Sequence, residues 1–116
     1  MQRDRLYLLT IIDALAASSR ILGSATREEF LADETLRHAL KSVLLEVGEA
    51  AACLSAELKQ QHPEVPWKGV VDFRNVLVHA YFSVRWELVW EAATADLPTL
   101  GAAAQRILDS GPAETS

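Results

Sequence analysis

The sequence LRHALKSVLLEVGEAAACLSAEL, residues 36–58, carries apolar side chains at helical spacing on two sides. Its main stripe recurs at intervals of three and four and consists of Leu36, Leu40, Val43, Val47, Ala50 and Leu54. A second apolar line runs beside it and consists of Leu44, Ala51 and Leu58. A helix that is apolar on two sides requires two neighbours. The segment therefore predicts a long helix flanked by others in a helical bundle.

Two shorter patterns precede the long helix. Apolar residues recur by three and four from about residue 3 to residue 22, which predicts an amphipathic helix with Gly23 as its C-cap. Thr26 and Glu29 stand in the order of a capping box, so a short helix is expected to begin there and to break near Asp33. Two helices are therefore expected before the long one.

Prolines separate the elements on the C-terminal side. Pro63 and Pro66 end the long helix, because proline disfavours helical conformation in the preceding residue. Residues 67–80 are expected to form the next helix and residues 84–93 a further one, and Asp96 starts the last. The sequence shows no alternation typical of strands and no internal repeat. The predicted fold class is therefore all-α, a compact antiparallel helical bundle.

Length and composition bound the kind of protein. The 116 residues carry a net charge of −5 and one cysteine. They predict a single domain over residues 1–110 and a flexible C-terminal tail over residues 111–116. The lone Cys53 excludes an internal disulfide and is expected to be a packed thiol beside the apolar stripe. No segment resembles a membrane span or a signal peptide, so a soluble cytoplasmic protein is expected, without a membrane partner.

The run from Phe73 to Tyr81 places a cation, an amide, an imidazole and a phenol in an otherwise apolar helix. Arg74 is permanently charged and can grip a phosphate by two parallel hydrogen bonds, whereas His79 can exchange a proton near neutral pH. This pair indicates phosphoryl chemistry without a metal. Asn75 shares a helical face with His79, but Arg74 is about 140° away from it. Arg74 must therefore curl into a groove that His79 faces, and a second copy of the helix could form the opposite wall.

The spacing Arg-Asn, three residues, His, one residue, Tyr resembles the motif of the HEPN superfamily, in particular of its HepT-like branch. That branch comprises the ribonuclease toxins of the HepT/MntA toxin–antitoxin systems. The resemblance spans most of residues 3–110 and includes Leu44–Ala50, His62–Trp67, Tyr81–Phe82, Val89–Trp90 and Asp96–Pro98. It departs from the family's pattern at Ser83–Trp86, where a Gly and an Asp-rich turn are more usual. The resemblance implies a HEPN-like bundle that forms a homodimer.

The resemblance also implies a function and a site. A HepT-like toxin of a type VII system is a metal-independent endoribonuclease acting on tRNA or messenger RNA at a dimer cleft, so Arg74, Asn75 and His79 are the expected catalytic residues. His79 would act as acid or base, Arg74 would bind the scissile phosphate, and Asn75 would orient the imidazole or the substrate. The expected partner is an MntA-type nucleotidyltransferase antitoxin that attaches AMP to the Tyr81 hydroxyl. Added phosphates there would crowd the cleft and offer Arg74 a competing anion.

Other interpretations of the same residues stay open. His79 can be a hydrogen-bonded structural histidine, and Arg74 can pair with Asp72, Glu46 or Glu49. The net charge of −5 is unfavourable for tight, sequence-independent nucleic-acid binding, which normally draws on Lys and Arg. No ligand cluster suggests a metal, and no cofactor is expected. The alternative function is a non-catalytic helical HEPN subunit that binds a nucleotide or a nucleotidyltransferase partner.

Overall fold

A computed structural model describes residues 2–111 of the chain, and this part is all-α, without a strand. The α-helices are α1 Gln2–Leu22, α2 Arg27–Ala32, α3 Glu34–Cys53, α4 Ala56–Gln61, α5 Trp67–Ala80, α6 Trp86–Glu91 and α7 Leu97–Asp109. A 3₁₀ turn, Tyr81–Ser83, follows α5, and a π-helical turn, Ala92–Asp96, joins α6 to α7. The all-α prediction is confirmed. Of the tail predicted for residues 111–116, residues 112–116 lie outside the described part.

Helix α3 contacts more of the bundle than any other element within the described residues. Helices α1 and α5 pack along it, α7 packs on α1, and the short helices α2 and α6 cover the beginning of α3. The side chains that α3 buries come from both predicted apolar lines: Leu40, Val43, Leu44, Val47, Ala50 and Ala51. The prediction that this helix has neighbours on two sides is therefore confirmed.

The local signals at the first helix ends are confirmed. Gly23 has a φ of +52°, and its N–H donates to the Ser19 carbonyl at 2.9 Å, as expected of a glycine C-cap. At the start of α2, the Thr26 hydroxyl accepts from the Glu29 N–H at 3.1 Å, and the Thr26 N–H donates to the Glu29 carboxylate at 2.8 Å. This reciprocal capping box satisfies two backbone donors that the helix itself cannot pair.

The expected continuation of the long helix through Leu58 is wrong, because α3 ends at Cys53 and α4 begins at Ala56. Between them, Ser55 caps α4 by accepting from the Leu58 N–H at 3.1 Å. The carboxylate of Asp4, only 2% exposed, accepts from the Ser55 N–H at 2.8 Å and from its hydroxyl at 2.7 Å. A contact with Asp4, near the start of the chain, thus stabilises a break between two helices that the apolar periodicity does not indicate.

Two further expectations differ from the structure. The helix predicted for residues 84–93 is the shorter α6, and it continues through the π-helical turn into α7 without an open loop. Pro98 lies in the first turn of α7, directly after the π-helical turn, and has no backbone N–H to donate to the preceding turn. Cys53 is exposed rather than packed, because it ends α3 on the side away from the core. No described helix combines the length and apolarity needed to cross a membrane.

Replacing Asp4 tests the contact between the start of α1 and the start of α4. We expect Asp4→Ala to lower the free energy of unfolding by about 2–4 kcal/mol, because two charge-assisted hydrogen bonds are lost and Ser55 keeps partly buried donors without acceptors. Asp13→Ala, at an exposed position of the same helix, should change it by less than about 0.5 kcal/mol. Urea unfolding followed by tryptophan fluorescence measures both, and equal unfolding midpoints for the two variants would contradict the assignment.

Candidate active site

Helix α5 lies against α3 at one point of very close approach. A Cβ built on Gly48 of α3 would lie 2.2 Å from the Arg74 Cβ and 3.5 Å from the Arg74 Cα. Real carbon atoms do not approach that closely, so the contact requires glycine at position 48. The missing side chain lets the stem of Arg74 pass directly over the α3 backbone. The position of Arg74 is therefore set by packing between the two helices.

The Arg74 guanidinium has partners from two helices. Its Nε donates to the Asn75 side-chain oxygen at 2.9 Å, and its Nη1 donates to the Glu49 carboxylate. Of the three acids considered from the sequence, Glu49 is the partner, whereas Asp72 accepts from Lys68 at 2.7 Å. The Arg74 side chain is 18% exposed and that of Glu49 is 67% exposed. These contacts use two of five N–H donors, so the guanidinium can still bind an anion.

The imidazole of His79 is held in one tautomer by the backbone of its own helix. Its Nδ1 lies 2.9 Å from the Asn75 carbonyl oxygen. A carbonyl oxygen can only accept, so Nδ1 must donate its proton there. In the neutral ring the Nε2 atom is then unprotonated and can take a proton from a substrate. The residue as a whole is exposed to solvent, so that Nε2 is accessible.

Asn75 connects the other two motif residues. Its side-chain oxygen accepts from Arg74, and its main-chain carbonyl accepts from His79. Arg74 and His79 are about 140° apart around the helix, but each forms a hydrogen bond with Asn75. Arg74 curls toward the Asn75 side chain, and His79 bonds to the Asn75 carbonyl one turn earlier. The structure brings Arg74, Asn75 and His79 into one hydrogen-bonded chain.

Tyr81 ends α5 in an unusual conformation. Its φ is +51°, which a residue with a side chain rarely adopts, and it opens the 3₁₀ turn two residues after His79. The side chain is 75% exposed, and the following Phe82 is fully exposed. The structure therefore places the Tyr81 phenol in solvent at the end of the helix that carries the motif, accessible to a modifying enzyme.

The outer face of α5 is uncovered in the isolated protomer and carries both polar and apolar side chains. Among its fourteen residues only Trp67 and Leu77 are buried. Val76 is 60% exposed and Val78 is 47% exposed, and both flank His79 along the helix. A shallow open depression lies instead near the start of α5, between Lys59 and Trp67, and includes no motif residue.

Two features of the site had not been singled out in the sequence. Glu49 was one of three possible partners for Arg74, and nothing in the sequence favoured it. Gly48 did give a signal, because a glycine inside a strong helical pattern often indicates a close approach of another backbone. Within residues 2–111, no group of three or more His, Cys, Asp or Glu side chains is arranged to hold a metal ion.

Fold and site together define an all-α protein in which an arginine, an asparagine and a histidine are linked by hydrogen bonds along one helix. A family model described as "Ribonuclease HepT-like" matches residues 11–107. The chain therefore belongs to the HepT-like ribonuclease family, which confirms the resemblance found in the sequence.

Several curated proteins are similar over most of this chain. "Probable ribonuclease HepT" of Thermococcus cleftensis is 32% identical over 94 residues, 81% of this chain and 86% of that protein. "Putative RNase TTE0752" of Caldanaerobacter subterraneus subsp. tengcongensis is 31% identical over 108 residues, 93% of this chain and 96% of that protein. "Putative RNase MJ1380" of Methanocaldococcus jannaschii is 33% identical over 100 residues, 85% of this chain and 92% of that protein. No solved structure matches this chain.

A pair of glycine substitutions tests the close approach of α5 to α3. We expect Gly48→Ala to lower the free energy of unfolding by about 1–3 kcal/mol, because the new methyl group overlaps Arg74 and the helices must move apart. Gly69→Ala is the matched control, since its Cβ would lie 4.0 Å from the nearest atom, and it should stabilise α5 by up to about 1 kcal/mol. Chemical unfolding measures both; a neutral Gly48→Ala would show that the helices do not touch as described.

Proposed function

We propose that this protein is a metal-independent endoribonuclease and the toxin of a type VII HepT/MntA toxin–antitoxin system, acting in the cytoplasm as one helical domain. Membership of the HepT-like ribonuclease family supports an RNase. The observation that carries the proposal is the hydrogen bond between His79 Nδ1 and the Asn75 carbonyl, which leaves Nε2 free on the helix that also carries Arg74. That arrangement supplies a base and a fixed positive charge on one helix.

The proposed reaction is the attack of a ribose 2′-hydroxyl on the adjacent phosphate. Nε2 of His79 accepts the hydroxyl proton as the new P–O bond forms. Arg74 has N–H groups that do not donate to Asn75 or Glu49. These bind the phosphate oxygens and neutralise their growing negative charge. The bond to the 5′ oxygen then breaks, and that oxygen takes a proton from a protonated imidazole. The products are a 2′,3′-cyclic phosphate and a 5′-hydroxyl end.

The proposed active form is a homodimer through the outer face of α5. Val76 lies about 60° around the helix from His79, so the exposed apolar surface and the imidazole share a face. Covering that face with a second copy would remove Val76 from water and bring two His79 side chains toward one cleft. One imidazole could then act as the base while the other supplies the proton to the leaving oxygen.

A second candidate function is a non-catalytic subunit that binds a nucleotide or a nucleotidyltransferase. The pairing of Arg74 with Glu49 favours a subunit that binds the transferase, because the cation needed to bind a phosphate already has a carboxylate partner. The net charge of −5 favours it as well. The two functions differ at His79, which is needed for chemistry in the first and only for association or stability in the second.

The first test is cleavage of a mixed pool of tRNA and messenger RNA by the purified protein in excess chelator. Mass spectrometry must first show that Tyr81 is unmodified. We expect cleavage by the unchanged protein and a loss of at least about 100-fold in His79→Ala, the usual contribution of a general base. His62→Gln, a histidine that contacts only Glu64 by its side chain, should retain full activity.

Either of two results would contradict the proposed ribonuclease. One is the absence of cleavage by folded, unmodified protein, which would favour the non-catalytic subunit. The other is equal activity in His79→Ala and in the unchanged protein, which would remove His79 from the chemistry. Circular dichroism of each variant shows whether the helices are intact.

We propose further that an MntA-type nucleotidyltransferase antitoxin neutralises the protein by attaching AMP to Tyr81. The support is geometric, since the phenol is 75% exposed and only two residues from His79. The added phosphates would bring negative charge to the cleft and occupy Arg74 in place of RNA.

Substituting the two tyrosines of the chain separates modification from activity. We expect Tyr81→Phe to cleave RNA as the unchanged protein does but to remain active after incubation with the transferase and ATP. Tyr7→Phe, on α1, should be labelled and inhibited as the unchanged protein is. Mass spectrometry locates the AMP, and AMP attached to Tyr81→Phe at another residue together with inhibition would contradict the assignment.

A further inference from the structure

Two acid-free segments of this acidic chain contain both basic residues and histidine. They are residues 35–45, in the first half of α3, and residues 73–86, from the second half of α5 to the start of α6. Together they hold four of the eleven Lys and Arg residues and two of the three His residues, namely Arg37, His38, Lys41, Arg74, His79 and Arg85. The chain as a whole carries a net charge of −5. Two other stretches, residues 14–27 and 97–108, also lack acids, but they contain three arginines and no histidine.

The two segments lie side by side in the fold. Arg74 contacts α3 at Gly48, and twelve residues later the Trp86 ring contacts the beginning of α3. The ring centroids of Trp86 and His38 are 5.2 Å apart, and the Arg37 guanidinium carbon lies 5.4 Å above the Trp86 ring. The chain after Arg74 thus runs antiparallel to α3 toward its first turn. The stretch from Arg74 to Trp86 therefore follows α3 from Gly48 back to Arg37.

Lys41 lies between these two ends. It is seven residues before Gly48 on α3 and therefore on the same face, about 10 Å along the helix axis. The second half of α5, which carries His79 and leads to Tyr81, runs along this interval. Lys41 therefore lies near the end of α5, between the candidate active site and Trp86.

The Arg37 guanidinium is fixed but its charge is not neutralised. Nη1 donates to the Leu31 carbonyl at 2.6 Å, and the indole of Trp86 packs against it. Its Nε is buried without a hydrogen-bond partner among the described residues. Within residues 2–111, neither Arg37 nor Lys41 nor Arg85 has a carboxylate within 4.0 Å. An immobilised cation that lacks an anion is suited to bind one from outside.

Exposed aromatic side chains accompany these cations. Phe82 is fully exposed and Tyr81 is 75% exposed, and both lie in the 3₁₀ turn that links α5 to Arg85 and Trp86. Cations that track a backbone, alternating with aromatic rings on which bases stack, are the combination that binds single-stranded nucleic acid. A protein partner of an acidic kind would use the cations but would not require free aromatic faces.

We propose that Arg37, Lys41, Arg85 and Phe82 form a binding surface for the single-stranded RNA that flanks the scissile phosphate. We call it the flanking-strand surface, and as an RNA surface next to the cleavage site it rests on the proposed function. Four acids border the acid-free segments and limit the length of the surface, namely Glu34, Glu46, Asp72 and Glu87. Of these, Asp72 is already paired with Lys68.

The test measures binding of a short labelled single-stranded RNA in the His79→Ala background, which prevents cleavage. Adding Lys41→Gln and Arg85→Gln should weaken binding roughly 10- to 30-fold at about 0.1 M salt, since each phosphate contact to a single strand contributes about 0.7 to the logarithmic salt slope. The slope itself should fall by about 1.4 between about 50 and 200 mM salt. Arg3→Gln with Arg5→Gln, two exposed arginines of α1, is the charge-matched control and should lose little affinity.

A second arm tests the aromatic contribution. We expect Phe82→Ala to weaken binding of single-stranded RNA about fivefold or more and to leave binding of a duplex of the same length unchanged, because paired bases cannot stack on a side chain. Phe82 is fully exposed, so its removal takes nothing from the core. If Phe82→Ala weakened binding of single-stranded and duplex RNA equally, or changed neither, Phe82 would not belong to the flanking-strand surface.

The outcomes separate this inference from the proposed function, because binding is measured without cleavage. If the unchanged protein cleaves RNA but the Lys41 and Arg85 variant binds like its control, the flanking-strand surface is wrong and the ribonuclease stands. If that variant loses affinity although the unchanged protein does not cleave, the surface stands and the ribonuclease fails. If the variant alters only the oligomeric state in sedimentation, the surface contacts protein and the inference is overturned.

Discussion

The arrangement of the candidate site depends on one contact, the passage of Arg74 over Gly48. Because residue 48 has no side chain, α5 approaches α3 closely enough for the Arg74 stem to lie on the α3 backbone. Glu49, the next residue of α3, then accepts a hydrogen bond from Nη1 of Arg74. Asn75, the next residue of α5, accepts one from Nε through its side-chain oxygen. His79 follows because its ring is tied to the Asn75 carbonyl. A single close approach between two helices thus sets the direction of three polar side chains.

Arg74 is paired with Glu49 and can nevertheless bind an anion from outside. Glu49 is 67% exposed, so water screens its attraction for Arg74 and the ion pair contributes little to stability. A phosphate diester that reaches Arg74 can therefore share the guanidinium or displace the carboxylate at low cost. Glu49 keeps the flexible side chain near its working position in the absence of substrate. The net charge of the chain matters less than the local charge of residues 35–45 and 73–86, which contain no Asp or Glu and along which the proposed RNA strand would lie.

Local signals were enough to predict most of the fold, and long-range contacts account for what was missed. The capping box at Thr26 and the Gly23 C-cap involve neighbours in sequence, and both are confirmed. The break between α3 and α4 depends on Asp4, fifty-one residues from Ser55, and no periodicity reveals it. At the site, the chemistry inferred from the residue types stays a prediction, and the choice of Glu49 over Asp72 or Glu46 as the partner of Arg74 required the packing of α5 on α3. The dimer and the modification of Tyr81 stay predictions.

The exposure of α5 explains why a catalytic cleft would need a second subunit. General-base catalysis and charge neutralisation are most effective where water is excluded, since bulk water weakens both the hydrogen bonds and the field of the arginine. In one protomer, however, His79 lies on the open side of a helix whose exposed neighbours include Val76 and Val78. These valines gain nothing from water and offer apolar area to a partner on the two sides of the imidazole. Burying the valines against a second copy would therefore enclose the imidazole at the same time, so that one interface would supply both stability and a dry site.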